Sequence, residues 1–407
     1  MQTRLSAEFE GTADGEEAEA ILRKCVHCGF CNATCPTYQV LGDELDGPRG
    51  RIYLIKQLLE GGEVTRATQK HLDRCLTCRN CETTCPSGVE YGHLVEIGRR
   101  LTDERVGRPP GEQAIRWLLK EGLTSRLFAP ALKAGQMLRP LLPQVLKRKV
   151  PSSAHRKPGR AVSRAHDRKV LLLGGCVQPA MRPEINAATV RVLDAAGIQT
   201  MSAPAEGCCG ALRTHLGDRE GGLTDMRRNI DAWWPFLGAG SVETIVANAS
   251  GCSQMIKEYG YELRHDPEYA DKARRVSALT RDLCELLPDI GFALKDRVSR
   301  GGPPLAFHSP CTLQHGQELR GVDADLAALG LDVQVPADNH LCCGSAGTYS
   351  VLHPEIANEL RDLKIGRLQA LGAECIVSAN IGCIQHLQSG TKLPVRHWVE
   401  VLDEALN

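Results

Sequence analysis

Hydrophobic positions along the chain follow two styles that divide near residue 170. Before it, apolar residues recur at helical spacing. Ile52, Leu54, Ile55, Leu58 and Leu59 share one face of a helix that follows the turn Asp46-Gly47-Pro48. Helices are also expected in EEAEAILRK (16–24), over Thr68 to Arg74, and through much of 93–150. There Pro109, Pro110, Pro130, Pro140 and Pro143 are expected to break the pattern. The stretch 131–150 is apolar on one side and basic on the other, a character compatible with a membrane surface. Its prolines shorten the stripe and favour a helix pair packed on a neighbour. Residues 147–169 are basic, rich in Ser, Pro and Gly and poor in large apolar residues, which reads as a solvated linker.

Beyond residue 170, short apolar runs alternate with helical patterns, the mark of α/β architecture. The pattern also repeats. The first copy opens with the strand KVLLLGGC, reaching Cys176. A helix from Pro183 to Ala196 follows, then a strand in GIQTMSA and the element EGCCGA with Cys208 and Cys209. The strand ETIVANASGC is expected to end at Cys252. The second copy opens with PLAFHSPC, reaching Cys311. It continues through LDVQV, LCCGSAG with Cys342 and Cys343, and helical ELRDLKIGRLQAL. The strand ECIVSANIGC is expected to end at Cys383. The cysteines of the two copies keep step at nearly constant separation. Ligands of open α/β sheets sit beyond the carboxyl ends of strands, so four cysteines per copy can converge there. Gly210 and Gly344, each following a cysteine pair, let the backbone bend close to that site.

Composition narrows the field. Lys plus Arg and Asp plus Glu are 49 each, so no global charge points to nucleic acid. Of 18 cysteines, eight fall in two short runs, CVHCGFCNATCP and CLTCRNCETTCP. Each fits C-x2-C-x2-C-x3-C-P, the ligand spacing of a two-cluster ferredoxin. Three thiolates on a tight loop wrap one side of an iron-sulfur cube, and the fourth turns towards the other cube. Cys25, Cys28, Cys31 and Cys85 are therefore assigned to one cluster, and Cys75, Cys78, Cys81 and Cys35 to the second. Pro36 and Pro86 favour the turn away. Disulfide scaffolds belong to small secreted chains, and structural zinc sites use separated pairs; neither matches these runs.

The N-terminus is polar and acidic, without the apolar region of a signal peptide. No apolar run approaches the roughly 18 residues that span a bilayer. The expectation is a protein of the reducing cytosol, with any membrane association peripheral. No G-x-G-x-x-G opens a helix after a strand, and neither a P-loop nor a Cys-x-x-Cys-His haem site is present. Without a flavin signature, the chain reads as an electron wire rather than the place of substrate chemistry.

The paired CCG repeats behind a two-cluster module resemble a family of cysteine-rich redox subunits. Heterodisulfide reductase, anaerobic glycerol-3-phosphate dehydrogenase and lactate-utilisation proteins carry relatives of the repeat. The segments CVHCGFCNATCPTYQ, GDELDGPRGRIYLIKQ, HLDRCLTCRNCETTCPSGV, RRNIDAWWP, LCCGSAGTYS and ANIGC look like those of the iron-sulfur subunits of bacterial glycolate oxidase, over essentially the whole chain. The resemblance implies an α+β protein: a helical ferredoxin-type domain with two [4Fe-4S] clusters (1–105), a helical segment and linker (106–168), and an α/β domain of two CCG repeats (169–290 and 300–407). It implies FAD-containing partner subunits that oxidise glycolate to glyoxylate. Electrons would pass towards quinone, or another membrane acceptor, at the cytoplasmic side of the inner membrane.

One departure stands out. Heterodisulfide reductase relatives end each repeat in CxxC, whereas Ala249 and Asn380 here replace the first of those cysteines. Four cysteines remain per repeat, which argues against a non-cubane disulfide-reducing cluster. Cys176, Cys208, Cys209 and Cys252, with Cys311, Cys342, Cys343 and Cys383, are candidate ligands of a further iron-sulfur centre; buried structural thiols are the other reading. A catalytic CCG domain, reducing a disulfide or quinone, is the alternative function. His308, His315, His340 and His386 lie near these cysteines and read as structural, as do Cys284 and Cys375. Trp233 and Trp234 are candidates for partner docking or for the core.

Overall fold

A computed structural model describes residues 1–125, 127–141 and 161–406. The N-terminal part is helical: α1 (Ala13–Lys24), α2 (Phe30–Ala33), α3 (Pro36–Leu41), α4 (Pro48–Leu59), α5 (Arg66–Asp73), α6 (Asn80–Thr83) and α7 (Tyr91–Val106). Local chemistry starts these helices. The Thr12 hydroxyl accepts from the Gly15 N–H at the start of α1, and prolines occupy the first turns of α3 and α4, where a missing N–H costs nothing. Ile21 and Leu22 of α1, Ile52, Ile55, Leu58 and Leu59 of α4, and Leu94 and Val95 of α7 form one core. The predicted face of α4 is thus the buried one, with Leu54 at its margin.

Two further helices follow, α8 (Pro110–Thr124) and α9 (Phe128–Leu138). Neither has a fully buried residue, and Trp117, Leu118 and Met137 are exposed. The expected packing is met where α9 meets the short helix Gln178–Met181 and α8 meets the helix Ala211–His215, with Arg213 pairing with Glu121 of α8 at 2.7 Å. Pro130 does not break the pattern as expected, because it sits in the first turn of α9. Most of the predicted linker 147–169 lies outside the described residues. Its last part is no free tether: the Arg164 backbone N–H and side chain donate to Asp194 at 2.7 and 2.9 Å, and His166 meets the same carboxylate at 2.9 Å.

The C-terminal part contains two four-stranded parallel sheets. The first comprises β1 (Arg168–Leu172), β2 (Ile198–Met201), β3 (Thr244–Ala247) and β4 (Thr280–Asp282), in the order β2-β1-β3-β4. The second comprises β5 (Leu305–His308), β6 (Val333–Gln334), β7 (Cys375–Ser378) and β8 (Val395–His397), in the order β6-β5-β7-β8. The repeat read from the cysteines is therefore a repeat of topology. Parallel strands are covered on both faces, which explains the unbroken apolar runs; all four residues of β3 and of β7 are buried. β4 and β8 carry Thr-Arg-Asp and Val-Arg-His, too short and polar to signal themselves.

Two expectations are corrected here. Cys252 and Cys383 do not end strands: β3 stops at Ala247 and β7 at Ser378, and both cysteines lie in the first turn of the next helix, Ser250–Lys257 or Ile381–Gln388. Each ordinary βα turn carries its cysteine over the sheet edge. Trp233 is also not a docking residue. It is fully buried, and its Nε1 donates to Glu206 Oε2 at 2.8 Å. The repeats share a core in which Val170, Ile185 and Val192 pack with Phe307, Ile376 and Trp398. His397 Nε2 donates across it to the Asn248 carbonyl at 3.0 Å.

Candidate metal centres and the cavity they face

The two cysteine loops share an unusual backbone. His27 and Thr77 have φ of 59° and 49°, and Gly29 and Arg79 have φ of 87° and 58°. These left-handed residues fall at the same places after Cys25 and Cys75. For a β-branched residue such as Thr77 this conformation is strained, and such strain gathers at functional sites. It curls each loop around a point, and the Thr77 N–H points at Cys75 Sγ, 3.4 Å away.

The loops exchange their last cysteines. One pocket is lined by Cys25, Cys28, Cys31 and Cys85, together with Cys81. Burial, then the neighbouring Cys25, Cys28 and Cys85, pushes the Cys31 thiol up to about 11. A second pocket is lined by Cys35, Cys75, Cys78 and Cys81. Burial and surrounding thiols push Cys78 and Cys81 well above the usual range. Crowded thiols of this kind ionise readily only against bound cations. Four sulfur donors around each pocket are the donor set of an iron-sulfur cluster. Cys28 is exposed and Cys25 buried in the outer set, whereas Cys35, Cys75 and Cys81 of the inner set are all buried.

A buried cation stands beside the inner set. Arg51, 1% exposed, donates from its guanidinium to Thr37 Oγ1 at 3.2 Å and from Nε to the His71 carbonyl at 2.7 Å. Thr37 Oγ1 in turn lies 3.3 Å from Cys35 Sγ. Burial opposes the Arg51 charge, yet Tyr91, Cys75, Cys35 and Asp46 together hold its pKa above the ordinary value.

Both CCG repeats open onto one cavity of about 580 Å³. Cys176, Cys208, Cys209 and Cys252 line it from the first repeat, Cys311, Cys342, Cys343 and Cys383 from the second, and Cys75 and Cys78 from the ferredoxin-type module. Gly210 and Gly344 turn each pair inwards with φ of 93° and 85°. A Cβ on Gly344 would meet the Ala357 carbonyl oxygen at 2.5 Å, so the sharp bend and close approach both require glycine. In the first repeat, hydrogen bonds from Cys176 and Cys209 hold Cys208 far below the usual thiol range, while Cys176 and Cys209 are pushed up. Beside the second quartet lies Lys364, 1% exposed, whose Nζ donates to the Asp338 and Asn339 carbonyls at 3.1 and 3.0 Å.

The module is fastened to both repeats around this cavity. Asn80 Nδ2 donates to the Thr34 carbonyl at 3.0 Å and the His340 carbonyl at 3.2 Å. His315 Nδ1 meets the Thr83 hydroxyl at 2.9 Å, and its Nε2 donates to the His340 carbonyl at 2.9 Å. Tyr349 donates to the Arg74 carbonyl at 3.0 Å. On the first repeat, Glu258 pairs with Arg79 and lies 3.3 Å from His93 Nε2. Leu76 and Cys78 share an apolar cluster with Cys311, Cys342 and Tyr349.

The 4Fe-4S dicluster domain family matches residues 21–89, and the Cysteine-rich domain family matches residues 170–257 and 305–388. The chain is 53% identical to the glycolate oxidase iron-sulfur subunit of Escherichia coli, covering 100% of this chain and 99% of that protein. This chain belongs to the glycolate oxidase iron-sulfur subunit family. A probable glycolate oxidase iron-sulfur subunit of Bacillus subtilis is 30% identical, over 95% of this chain and 92% of the relative. Lactate utilization protein A of Geobacillus kaustophilus is 29% identical over 58% of this chain. A crystal structure of a hypothetical protein from Helicobacter pylori covers 97% of this chain and 73% of its own, with a TM-score of 0.51 at 12% identity, a likeness of fold.

Within this family frame, the structure gathers every cysteine singled out by spacing or repeat. Cys284 and Cys375 stay apart, buried in the shared core. His315 and His386 are structural: His386 Nε2 donates to the Ala357 carbonyl at 3.0 Å. His340 contributes its carbonyl to the joint. His308 does not fit that description, because it is fully buried and neither ring nitrogen has a hydrogen-bond partner. Sequence reasoning missed Arg51, Glu258 and Lys364. Arg51 and Lys364 sit on helices where a basic residue ordinarily faces water, so only burial reveals them.

Proposed function

We propose that this chain is the electron-transfer subunit of a glycolate oxidase complex. The grouping of eight cysteines into two sets that exchange their last members carries this reading. Cys25, Cys28, Cys31 and Cys85 would hold an outer [4Fe-4S] cluster, and Cys75, Cys78, Cys81 and Cys35 an inner one. Such clusters, when bound, supply one-electron transfer, here between an FAD subunit that oxidises glycolate to glyoxylate and a quinone or other membrane acceptor.

The chain's own residues bind, insulate and tune. Cys28 is exposed beside Val26 and Phe30, 69% and 62% exposed, which supports entry from a docked flavin subunit at this edge. Arg51 offsets the negative charge of the inner thiolates. The contact of Cys78 with Cys311 and Cys342 supports passage onward to the CCG cavity. No described helix is long and apolar enough to cross a membrane; association with the cytoplasmic face of the inner membrane would be peripheral. The working domain division is 1–105, 106–168, 169–290 and 300–407.

Iron and acid-labile sulfide analysis with EPR, on full-length chain purified without oxygen, tests the reading. About eight iron atoms in two interacting clusters are expected, with no glycolate turnover until the flavin subunit is added. Glycolate oxidation by the isolated, flavin-free chain would sink it. The shared cavity favours a second reading, in which the acceptor is reduced at the CCG cysteines. Full cluster content with lost turnover of the complex in Cys342→Ser would support that one.

A further inference from the structure

His308 presents an accounting problem. It ends β5 at 0% exposure, and neither Nδ1 nor Nε2 has a hydrogen-bond partner. A buried imidazole has at least one N–H to place and one lone pair to satisfy, and leaving both idle is unfavourable. Its neighbours are thiols. A ring nitrogen of His308, Cys343 Sγ and Cys383 Sγ all lie within 4.8 Å of one another, and all three residues are buried. Asn380 Nδ2 adds a weak contact to Cys383 Sγ at 3.8 Å.

The closeness of these atoms distinguishes the site from the others. Neither set of four ferredoxin-type cysteines contains three donors that tight, as thiols surrounding a multi-iron cluster would not. Donors within one ion's coordination sphere suit one ion. The repeats also differ here: the residue three before Cys311 is His308, whereas the residue three before Cys176 is Leu173. Leu173 is buried in the apolar core of its repeat.

We propose that the second CCG repeat, and not the first, binds a single thiophilic divalent metal ion through His308, Cys343 and Cys383. Two thiolates and one imidazole are a zinc donor set, and at a site with three protein ligands a further position stays open. The ion gives the stranded imidazole a partner and neutralises two buried thiolates. Cys343 and Cys383 line the cavity, so an open position there would be available to a donor atom of a bound molecule. The inference does not rest on the electron-transfer reading, whose iron and sulfide are counted separately.

The test uses full-length chain purified anaerobically, with zinc, iron and sulfide measured on one sample and zinc X-ray absorption recorded. The expected result is about one zinc per chain with mixed nitrogen and sulfur scattering. His308→Leu, which installs the residue of the first repeat, loses this zinc, as does Cys343→Ser. Cys209→Ser keeps it. Retained iron content and an unchanged circular dichroism spectrum show that the variants fold, and Zn2+ titration of metal-stripped wild type restores the nitrogen signal. Zinc that persists in His308→Leu, scattering from sulfur alone, or extra iron with matching extra sulfide in place of zinc overturns the proposal.

Discussion

Cys78 of the second ferredoxin-type loop and Cys311, which opens the helix after β5, pack in one apolar cluster with Leu76 and Tyr349. Burial, then the neighbouring Cys311, pushes the Cys78 thiol well above its usual range. The joint between module and second repeat is therefore also a joint between two thiol sets. Cys311→Ser and Cys342→Ser are expected to leave the iron held by the eight ferredoxin-type cysteines unchanged. Reoxidation of the dithionite-reduced chain by a water-soluble quinone should slow about tenfold, or about 1.4 kcal/mol in barrier. Stopped-flow recovery of the cluster absorbance measures the rate in each variant. An unchanged rate would mean that electrons leave elsewhere.

Among the described residues, the buried Arg51 guanidinium reaches the inner set through Thr37. Removing its charge should make the inner centre harder to reduce. Arg51→Met is expected to lower that centre's potential by about 60 mV or more, the one-electron equivalent of a tenfold change. Arg51→Lys should recover much of it. EPR-monitored redox titration resolves the shift, and the outer centre serves as internal reference.

Glu258 ties the module to the first repeat. Burial works against its carboxylate, yet the His93 hydrogen bond and the Arg79 charge hold it down to about 2, from 4.5. A depressed carboxylate contributes its stability above the unfolded value and loses it as pH falls towards 2. His93 behaves oppositely. Burial opposes its charge, but Glu258 raises its pKa above 6.5, so its share is present below 6.5 and fades as pH rises through the folded value. Domain docking should therefore be firmest between about pH 5 and 6.5. Glu258→Gln should cost about 3 kcal/mol, because it strands Arg79. Thermal unfolding across pH 3–9 should show the gap between wild type and variant full near pH 5–6.5 and narrowing as the wild type loses its share at acid pH.

The two CCG glycines are not equally crowded. A methyl group on Gly344 would meet a backbone oxygen at 2.5 Å, whereas on Gly210 the nearest atom, the Gly222 carbonyl oxygen, is at 3.0 Å. Both also hold positive φ. Gly344→Ala is expected to destabilise by about 3 kcal/mol or more and Gly210→Ala by about 1–2. Denaturant midpoints, with the m-value checked for constancy, test the order.

Val26 and Phe30 flank exposed Cys28. Val26→Asp with Phe30→Asp should leave iron content and fold intact. Copurification with the flavin subunit should weaken by about tenfold or more, as expected for apolar anchors at the centre of an interface. Undiminished copurification would move the docking surface elsewhere.

Much of this was legible in the chain. The loop spacing pointed to an exchange of Cys35 and Cys85, because a wrap of three thiolates leaves the fourth facing away; each pocket is lined by cysteines of both runs, Cys81 lining both. The duplication was legible because the cysteines recur at strand and helix ends in both copies. What escaped were pairings between distant segments. β4 and β8 are too short to carry a period. The orphaned ring of His308 and the burial of Arg51 and Lys364 depend on what packs over them, which no local pattern records.

The exchange of Cys35 and Cys85 also bears on how such a protein is built. A nascent chain that has displayed only its first run offers three of the four thiols of the outer pocket and one of the four of the inner. Neither nest is complete until the second run has been synthesised, Cys75, Cys78 and Cys81 for the inner and Cys85 for the outer, and the intervening helices have folded back. Completion of either nest thus waits on the second run. A truncation or stalled translation product before Cys75 would leave both nests incomplete at once.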